Sequence, residues 1–345
     1  MTDVLDGPTD AGELVIPSVD VAPEDGAVGW RHRHLLDVDD LSIDDIDLVM
    51  RTADAMREVL ARPIAKVPAL RGRNVTILFY EASTRTRVSF EVAAKNLSAD
   101  VVNIAAATSS VSKGESLVDT VKTVEALGAQ MLVMRHSVSG APYLAAEIFS
   151  GSVLNGGDGW HAHPTQALLD LYSLRTRLPG GPGASLEGRK IVILGDVLHS
   201  RVARSLVQAL ALVGAETVLV GPPTLVPRGI EGLGCVVSHD ISATGDADVV
   251  YVLRMQRERM GEAFVPSLRE YTALYGITPA RVRPGQVVMH PGPMNRGVEI
   301  DPRVADSAQA LVTDQVRAGL VVRMAVLYDV LTVAPVEARE RAAIA

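Results

Sequence analysis

Short apolar runs alternate with helix-like segments over most of this chain. Runs with the composition of β-strands lie at residues 74–80, 101–104, 131–134, 152–155, 190–194, 217–220, 234–237, 248–253 and 286–290. Segments with apolar residues at helical spacing lie at 42–60, 86–97, 115–127, 141–149, 164–177, 201–213 and 312–331. Because strands that alternate with helices pair in parallel, the pattern predicts an α/β protein with doubly wound parallel sheets.

The strongest interruption of this pattern is the Pro-Gly-Gly-Pro-Gly segment at 179–183. A chain of 345 residues is long enough for about two domains of roughly 150 residues each. We therefore predict a first domain over 31–177, a second over 184–331 and a hinge between them, with a C-terminal tail at 332–345. The first 30 residues contain seven acidic side chains and no Lys or Arg, which predicts a flexible acidic tail and not a targeting signal.

Charge and cysteine content exclude several classes of function. The chain has 33 Lys and Arg against 41 Asp and Glu, and this net charge of −8 argues against nucleic acid as the partner. The single cysteine, Cys235, excludes an internal disulfide and a Cys-rich metal site, and it favours the cytoplasm. No apolar run reaches the roughly 18 residues of a membrane span, so no membrane partner is expected.

The first polar cluster is the Ser-Thr-Arg-Thr-Arg segment at 83–87, which follows an apolar run and begins a helix. Ligands of doubly wound domains bind beyond the carboxyl ends of the strands. Free N–H groups and the positive end of the helix dipole favour an anion there, and Arg85 adds a guanidinium fork suited to phosphate. We predict a phosphate site, although a helix cap with solvated arginines would give the same pattern.

Three other segments of the first half carry polar residues. Arg135 follows the run at 131–134 and points either into the crevice or into solvent. His163 and Gln166 begin a helix, where an imidazole or an amide can hydrogen-bond to a carbonyl group. His161 adds a second histidine, but without a third ligand at suitable spacing we predict no metal site. The loop that contains Lys113 and Gly114 is compatible with a mobile loop that carries one cation, but an ordinary surface loop is the favoured interpretation of its composition.

In the second half, cationic or polar residues again follow the apolar runs. Arg201 begins a helix after Gly195-Asp196, and Arg254-Met255-Gln256 and His290-Pro291-Gly292-Pro293 end two further runs. Each arginine alone is compatible with a surface salt bridge, but together they indicate carboxylate binding. The sequence contains no Gly-x-Gly-x-x-Gly pattern after a strand, no P-loop and no Gly-x-Ser-x-Gly elbow. We therefore predict no dinucleotide site, no P-loop nucleotide site and no nucleophile elbow.

These motifs resemble the aspartate/ornithine carbamoyltransferase family over about residues 31–331. Residues 83–87 resemble its S-T-R-T-R motif, 163–166 its H-P-T-Q motif, and 112–116 its S-x-K-G-E loop. Gly195-Asp196 with Arg201 resembles its G-D…R segment, and 315–327 resembles a C-terminal helix that crosses back to the first domain. The second half is similar to the aspartate-type members, because His290-Pro291-Gly292-Pro293 replaces the H-C-L-P motif of ornithine enzymes.

The resemblance implies a role for each matching residue. The phosphate is expected at Ser83, Thr84, Arg85, Thr86 and Arg135, with Ser109 from a neighbouring chain. The carbamoyl group is expected at Thr86, Arg135, His163, Gln166, Pro291, Gly292 and Pro293. The aspartate is expected at Arg201, Arg254 and Gln256, with Lys113 from the neighbouring chain. The catalytic residues would be Arg85, Thr86, Lys113, Arg135 and His163.

The resemblance further implies direct transfer of a carbamoyl group from carbamoyl phosphate to L-aspartate, without metal or cofactor, in a homotrimer with shared sites. Another amino-acid acceptor, or a scaffold role beside a dihydroorotase, is an alternative, and a regulatory chain is a further partner to test. The chain departs from the family pattern in its acidic N-terminal tail, in Glu81-Ala82 before the first motif, and in Trp160-His161-Ala162 before the second.

Overall fold

The structure, a computed structural model, describes residues 29–105, 114–181, 183–256 and 264–332. Two all-parallel sheets follow one another along the chain, which confirms the predicted α/β class. Most of the predicted acidic tail, all of the predicted C-terminal tail except its first residue, and Ser109, Ser112 and Lys113 lie outside the described residues.

The first sheet has the strand order β2-β1-β3-β4. Its strands are β1 (Asn74–Phe79), β2 (Asp100–Ala105), β3 (Met131–His136) and β4 (Ser152–Asp158). The helices of this part are α1 (Ile43–Leu60), α2 (Thr84–Asn96), α3 (Leu117–Ala126), α4 (Ala141–Ile148) and α5 (Pro164–Arg177). Ser42 and Asp45 form a capping box at the start of α1.

The second sheet has the strand order β7-β6-β5-β8-β9. Its strands are β5 (Lys190–Leu194), β6 (Glu216–Val220), β7 (Val236–Ser238), β8 (Val249–Val252) and β9 (Val287–Met289). The helices here are α6 (Arg201–Leu212), α7 (Leu268–Tyr275), α8 (Pro302–Ala305) and α9 (Val312–Thr332). The sequence pattern does not predict α7 and α8, which have 8 and 4 residues.

The C-terminal helix α9 packs against α1, α2 and α5, so it returns to the first sheet as the resemblance implies. A buried apolar core continues from the first sheet through α5 and α9 to α6, which joins the two parts of the molecule. The hydroxyl of Thr52 on α1 donates to Asp329 on α9 at 3.0 Å inside this contact. None of the helices among the described residues is both long and apolar enough to cross a membrane.

Strands β3 and β4 both extend past the ends that the sequence predicts, at residues 134 and 155. Arg135 is not past the end of its strand but inside β3, paired opposite Phe79 of β1. Strand β4 continues to Asp158, beyond the predicted end at residue 155, because its pairing with β3 resumes at Asp158 and His136 after a register shift at Gly156 and Gly157. In the sequence these two glycines indicate a loop. In the structure they let the backbone of β4 lie close to neighbouring side chains.

Candidate active site

Two buried arginines from different sheets share one glutamate. Arg135 on β3 donates to Glu81 Oε1 at 3.0 Å, and Arg201 at the start of α6 donates to both carboxylate oxygens of Glu81 at 2.9 Å. The other Nη atom of Arg135 donates to the carbonyl of Gly156 at 3.1 Å. The ends of the two sheets therefore meet at a charged cluster, in which Glu81 is the common acceptor.

Gly157 allows these two arginines to approach the backbone. A Cβ atom at this position would lie 2.9 Å from Arg201 Nε and 3.1 Å from Arg135 Nη1, which is closer than carbon normally approaches nitrogen. Its φ of +115° also belongs to the range that favours glycine. A side chain here would force both guanidinium groups to shift.

Arg85 and Gly292 meet across the same cleft. Arg85 is in the first turn of α2, where the Ser83 side chain makes no capping hydrogen bond and no acidic residue is present. A Cβ atom at Gly292 would lie 2.9 Å from the guanidinium carbon of Arg85, and the φ of Gly292 is +61°. The structure thus places the residue predicted to bind phosphate against the predicted backbone segment 291–293 of the second sheet.

Positive charge is concentrated around Arg85. Burial, and then the charge of Arg254, lower the pKa of the Arg85 guanidinium. His290 lies near the same two arginines. Burial lowers the pKa of His290, Glu299 raises it, and the charges of Arg85 and Arg254 lower it further. The backbone N–H of Gly292 donates to His290 Nδ1 at 2.8 Å, so a neutral His290 can donate from Nε2 to Glu299 at 3.3 Å. This arrangement holds the turn at 290–292 and favours an anion beside it.

His163 is a neutral imidazole at the start of α5. Its side chain is buried, and burial followed by the charges of Arg135, Arg201 and Arg323 lowers its pKa well below the ordinary value. Its backbone N–H donates to Ser205 Oγ on α6 at 2.9 Å. Its buried Nδ1 has no hydrogen-bond partner among the described residues. Such a group can hydrogen-bond to a carbonyl oxygen without adding a charge.

Gln256, which is predicted to bind aspartate, makes two hydrogen bonds to the loop that follows β5. The backbone N–H of Gln256 donates to Asp196 at 3.1 Å, and its side-chain amide donates to the carbonyl of His199 at 3.0 Å. The His199 ring lies with its centroid 4.9 Å from that of Trp160, which belongs to the first part of the chain. The loop that follows β5 therefore supports Gln256 from one side and contacts the first sheet's loops on the other.

The structure places most of the predicted residues at or directly after the carboxyl ends of the strands of the two sheets, but not all of them are described. Thr86 and Gln166 are buried there, whereas Ser83 and Thr84 are more exposed at the same helix start as Thr86. The predicted residues Ser109 and Lys113 lie outside the described residues. His161, predicted not to bind a metal, contacts the carboxylates of Asp37 and Asp158, each at 3.2 Å.

The sequence pattern does not predict a functional role for Glu81 and Asp170, which hydrogen-bond to predicted site residues. Glu81 lies directly after β1 and before the phosphate motif, so an acid at a strand end was the signal for it. Asp170 is one helical turn after Gln166 and accepts from its side-chain amide at 3.1 Å. Both act on other side chains, and for that reason neither resembles a ligand-binding residue in the sequence alone.

Comparison with protein-family models gives two matches that together cover most of the chain. Residues 33–176 match the model described as "Aspartate/ornithine carbamoyltransferase, carbamoyl-P binding domain". Residues 187–330 match the model described as "Aspartate/ornithine carbamoyltransferase, Asp/Orn binding domain". The two matched ranges contain the first and the second sheet, respectively.

Curated relatives are similar over nearly their whole length. The chain is 54% identical over 313 residues to the aspartate carbamoyltransferase catalytic subunit of Roseiflexus castenholzii, covering 88% of this chain and 96% of the relative. It is 53% identical over 302 residues to the protein of the same name from Moorella thermoacetica, covering 86% of this chain and 97% of the relative.

Solved structures give a consistent comparison. Aspartate transcarbamoylase from Trypanosoma cruzi, in complex with N-(phosphonacetyl)-L-aspartic acid, is 30% identical with a TM-score of 0.78, covering 89% of this chain and 97% of that one. The catalytic subunit of the M. jannaschii enzyme is 36% identical with a TM-score of 0.75, covering 87% of this chain and 98% of that one.

Proposed function

The chain belongs to the aspartate/ornithine carbamoyltransferase family, and on that premise we propose how its cleft performs the reaction of the aspartate-type members. The protein transfers the carbamoyl group of carbamoyl phosphate to the α-amino group of L-aspartate. The products are N-carbamoyl-L-aspartate and phosphate, in a step of pyrimidine biosynthesis.

The observation that best supports this function is the meeting of arginines from both sheets in one cleft. Arg85 and Arg135 come from the first sheet's side, and Arg201 and Arg254 from the second. Carbamoyl phosphate carries a phosphate dianion and aspartate carries two carboxylates. Because guanidinium groups bind both kinds of oxyanion in a fixed geometry, this arrangement suits two anionic substrates held side by side.

In the proposed reaction the deprotonated α-amine attacks the carbamoyl carbon. The new N–C bond forms, the bond from that carbon to the phosphate oxygen breaks, and phosphate leaves with the amine proton. Neutral His163 and Thr86 hydrogen-bond to the carbamoyl oxygen, and Arg135 lies between that oxygen and the phosphate. Catalysis then comes from orientation and from stabilisation of the oxyanion, with no metal or organic cofactor in the proposal.

We further propose a cytoplasmic homotrimer in which Ser109 and Lys113 complete the site of a neighbouring chain. Strand β2 is at the edge of its sheet and exposes Val102, and Val88 and Val92 are exposed on the neighbouring helix α2. An apolar surface beside an open sheet edge supports association with another chain. Light scattering measures the mass of the assembly, and adding a dihydroorotase or a regulatory chain tests larger complexes.

A phosphate-release assay with carbamoyl phosphate tests the function. We expect release to depend on L-aspartate, with ornithine, N-acetylornithine and other amines giving little signal. A strong preference for another amine would identify a different acceptor. No release with any amine would support the scaffold alternative and contradict the proposal.

A further inference from the structure

Asp170 on α5 is a completely buried carboxylate that accepts hydrogen bonds from three elements. Gln166 Nε2, one turn earlier on α5, donates at 3.1 Å, and Gln315 Nε2 on α9 donates at 2.8 Å to the same oxygen. The hydroxyl of Tyr251 on β8 donates to the other oxygen at 2.7 Å. Every one of these partners donates, so the arrangement suits an ionised carboxylate, and the nearby charge of Arg323 favours that form.

These bonds determine which end of the Gln166 side chain is free. A glutamine amide has donors on its nitrogen and an acceptor on its oxygen. Since Nε2 is bonded to Asp170, the amide cannot turn over without placing its oxygen against a carboxylate. Oε1 has no hydrogen bond among the described residues and is left to accept one from a ligand.

The same carboxylate also supports the other wall of the cleft. Gln315 donates to Asp170 through Nε2 and accepts through Oε1 from the backbone N–H of His290 at 3.0 Å. His290 begins the turn at 290–292 that lies against Arg85. Asp170 is therefore connected to both protein groups that are expected to face the carbamoyl NH₂, namely the Gln166 amide and the backbone after His290.

We propose that Asp170 is a positioning residue for carbamoyl recognition, because it fixes Gln166 with its carbonyl oxygen facing the NH₂ group of the substrate. This inference rests on the proposed function, in which carbamoyl phosphate occupies the cleft. It explains how the site would favour a carbamoyl group over an acetyl group, whose methyl has the same size but donates no hydrogen bond.

The test compares the equilibrium affinities of carbamoyl phosphate and acetyl phosphate in the parent protein and in Asp170→Leu. A leucine has a similar size but accepts no hydrogen bond, so Gln166 Nε2 loses the acceptor that orients its amide and Gln166 is expected to turn over. We expect the preference for carbamoyl phosphate to fall by about tenfold, which corresponds to about 1.4 kcal/mol, while acetyl phosphate binds within about twofold of the parent. Equal weakening of both ligands would mean general disruption and would overturn the proposal.

Tyr251→Phe is the matched control. It removes one donor to Asp170 and leaves the contact between Asp170 and Gln166 in place, so the preference should be kept even if the protein unfolds at a lower temperature. A parent protein without any preference for carbamoyl phosphate would contradict the proposed function itself. A parent with the preference and an Asp170→Leu variant that keeps it would contradict only the role of Asp170.

The pH dependence of the parent protein gives a second test that does not depend on a variant that folds. Burial raises the pKa of Asp170 to about 7, against the opposing effects of Tyr251, Gln315, Gln166 and Arg323, which are the groups that face it. A protonated Asp170 accepts from Gln166 Nε2 through a neutral carbonyl oxygen, which binds the amide more weakly than a carboxylate does, so Gln166 is oriented less firmly. The affinity ratio of the two ligands, in which the titration of the phosphates cancels, should therefore fall as the pH decreases through about 7. A ratio that stays constant across this range would overturn the role.

Discussion

The arginines of the cleft differ in what surrounds them. Arg135 and Arg201 are buried and share Glu81, so an acidic side chain already balances part of their charge. Arg85 lies against Gly292, where burial and the charge of Arg254 lower its pKa. A bound phosphate dianion would reverse that effect, because an opposite charge favours the protonated guanidinium. Removal of the Arg85 charge should therefore weaken substrate binding most.

Replacing Arg85 with Ala should reduce kcat/KM for carbamoyl phosphate by more than about 100-fold, since a charged fork on a dianion contributes roughly 3 kcal/mol. Steady-state kinetics measure this effect. Arg317→Ala is the control, because Arg317 is an exposed arginine on α9 that pairs with Asp314. Near-normal turnover by Arg85→Ala would refute its assignment to the phosphate.

The sequence predicts a site residue where the groups that define the site are close together in the chain. The segments at 83–87 and 163–166 combine donor side chains with a helix start, and this pattern is visible without any tertiary structure. The surroundings of Asp170 were not predictable in the same way. Its partners Tyr251 and Gln315 are 81 and 145 residues away in sequence, so only the fold brings them together.

At the scale of elements, the turn between β4 and α5 joins the two sheets. Asp158 fixes this turn by accepting from the N–H groups of Gly140 at 2.7 Å and Ala162 at 3.1 Å. The carbonyl of Gly159 accepts from Arg201 at 3.1 Å, and the ring of Trp160 packs edge-on to His199. The turn is thus held rigidly on one side and contacts, on the other, the loop that supports Gln256.

Trp160→Ala should raise the KM for aspartate about threefold to tenfold, because an aromatic pair contributes roughly 0.5–1.5 kcal/mol. The KM for carbamoyl phosphate should change much less, since the phosphate residues lie on other elements. Trp160→Phe keeps a ring at this position and should recover most of the loss. Equal changes in both KM values would show that the contact does not act on the aspartate side.

The contact between α1 and α9 contains a buried carboxyl group whose protonation should affect stability. Burial raises the pKa of Asp329 to about 8, from 3.8 in an unfolded chain. Between these two values the folded protein binds more protons than the unfolded one, so the free energy of unfolding decreases as the pH rises. This stabilisation is complete below the lower value and is lost as the pH passes about 8.

Asp329→Asn removes this ionisation while its amide oxygen still accepts from Thr52. We expect the variant to gain stability relative to the parent as the pH increases from acidic to slightly alkaline values, as measured by thermal unfolding. A difference in Tm that does not change with pH would mean that Asp329 keeps an ordinary pKa in the folded protein.

The bounds of helices and strands were predictable where one physical signal dominates. The capping box at Ser42 and the apolar period predict α1 to within a residue. The end of β4 was not predictable, because Gly156 and Gly157 are typical of loops; the strand continues past them only because Asp158 pairs again with His136 of β3 and Gly157 allows the close approach of Arg135 and Arg201. Local sequence carries no information about that approach.

At the scale of the whole molecule, the two sheets present their carboxyl ends to one cleft, and α9 connects them through a common core. This arrangement places cations from both sides around the space for two anions. In the proposed trimer, Lys113 of one chain would add a further cation to the site of the next. In that arrangement, one complete site contains residues of two chains.

Co-expression of Arg201→Ala and Lys113→Ala chains tests the shared site. Each variant alone should have almost no activity, because every site lacks one cation. Mixed trimers should regain activity, since an Arg201-containing chain can receive Lys113 from its neighbour. Mixed assemblies that stay as inactive as the separate variants would place the complete site within one chain.

The most direct test of the account is calorimetric binding of N-(phosphonacetyl)-L-aspartate, which joins both anionic parts in one molecule. We predict one tight site per chain, and a loss of about 100-fold or more in affinity for Arg85→Ala and also for Arg254→Ala, one arginine from each side of the cleft. Unchanged affinity in either variant would contradict the claim that arginines from both sheets hold the two substrates together.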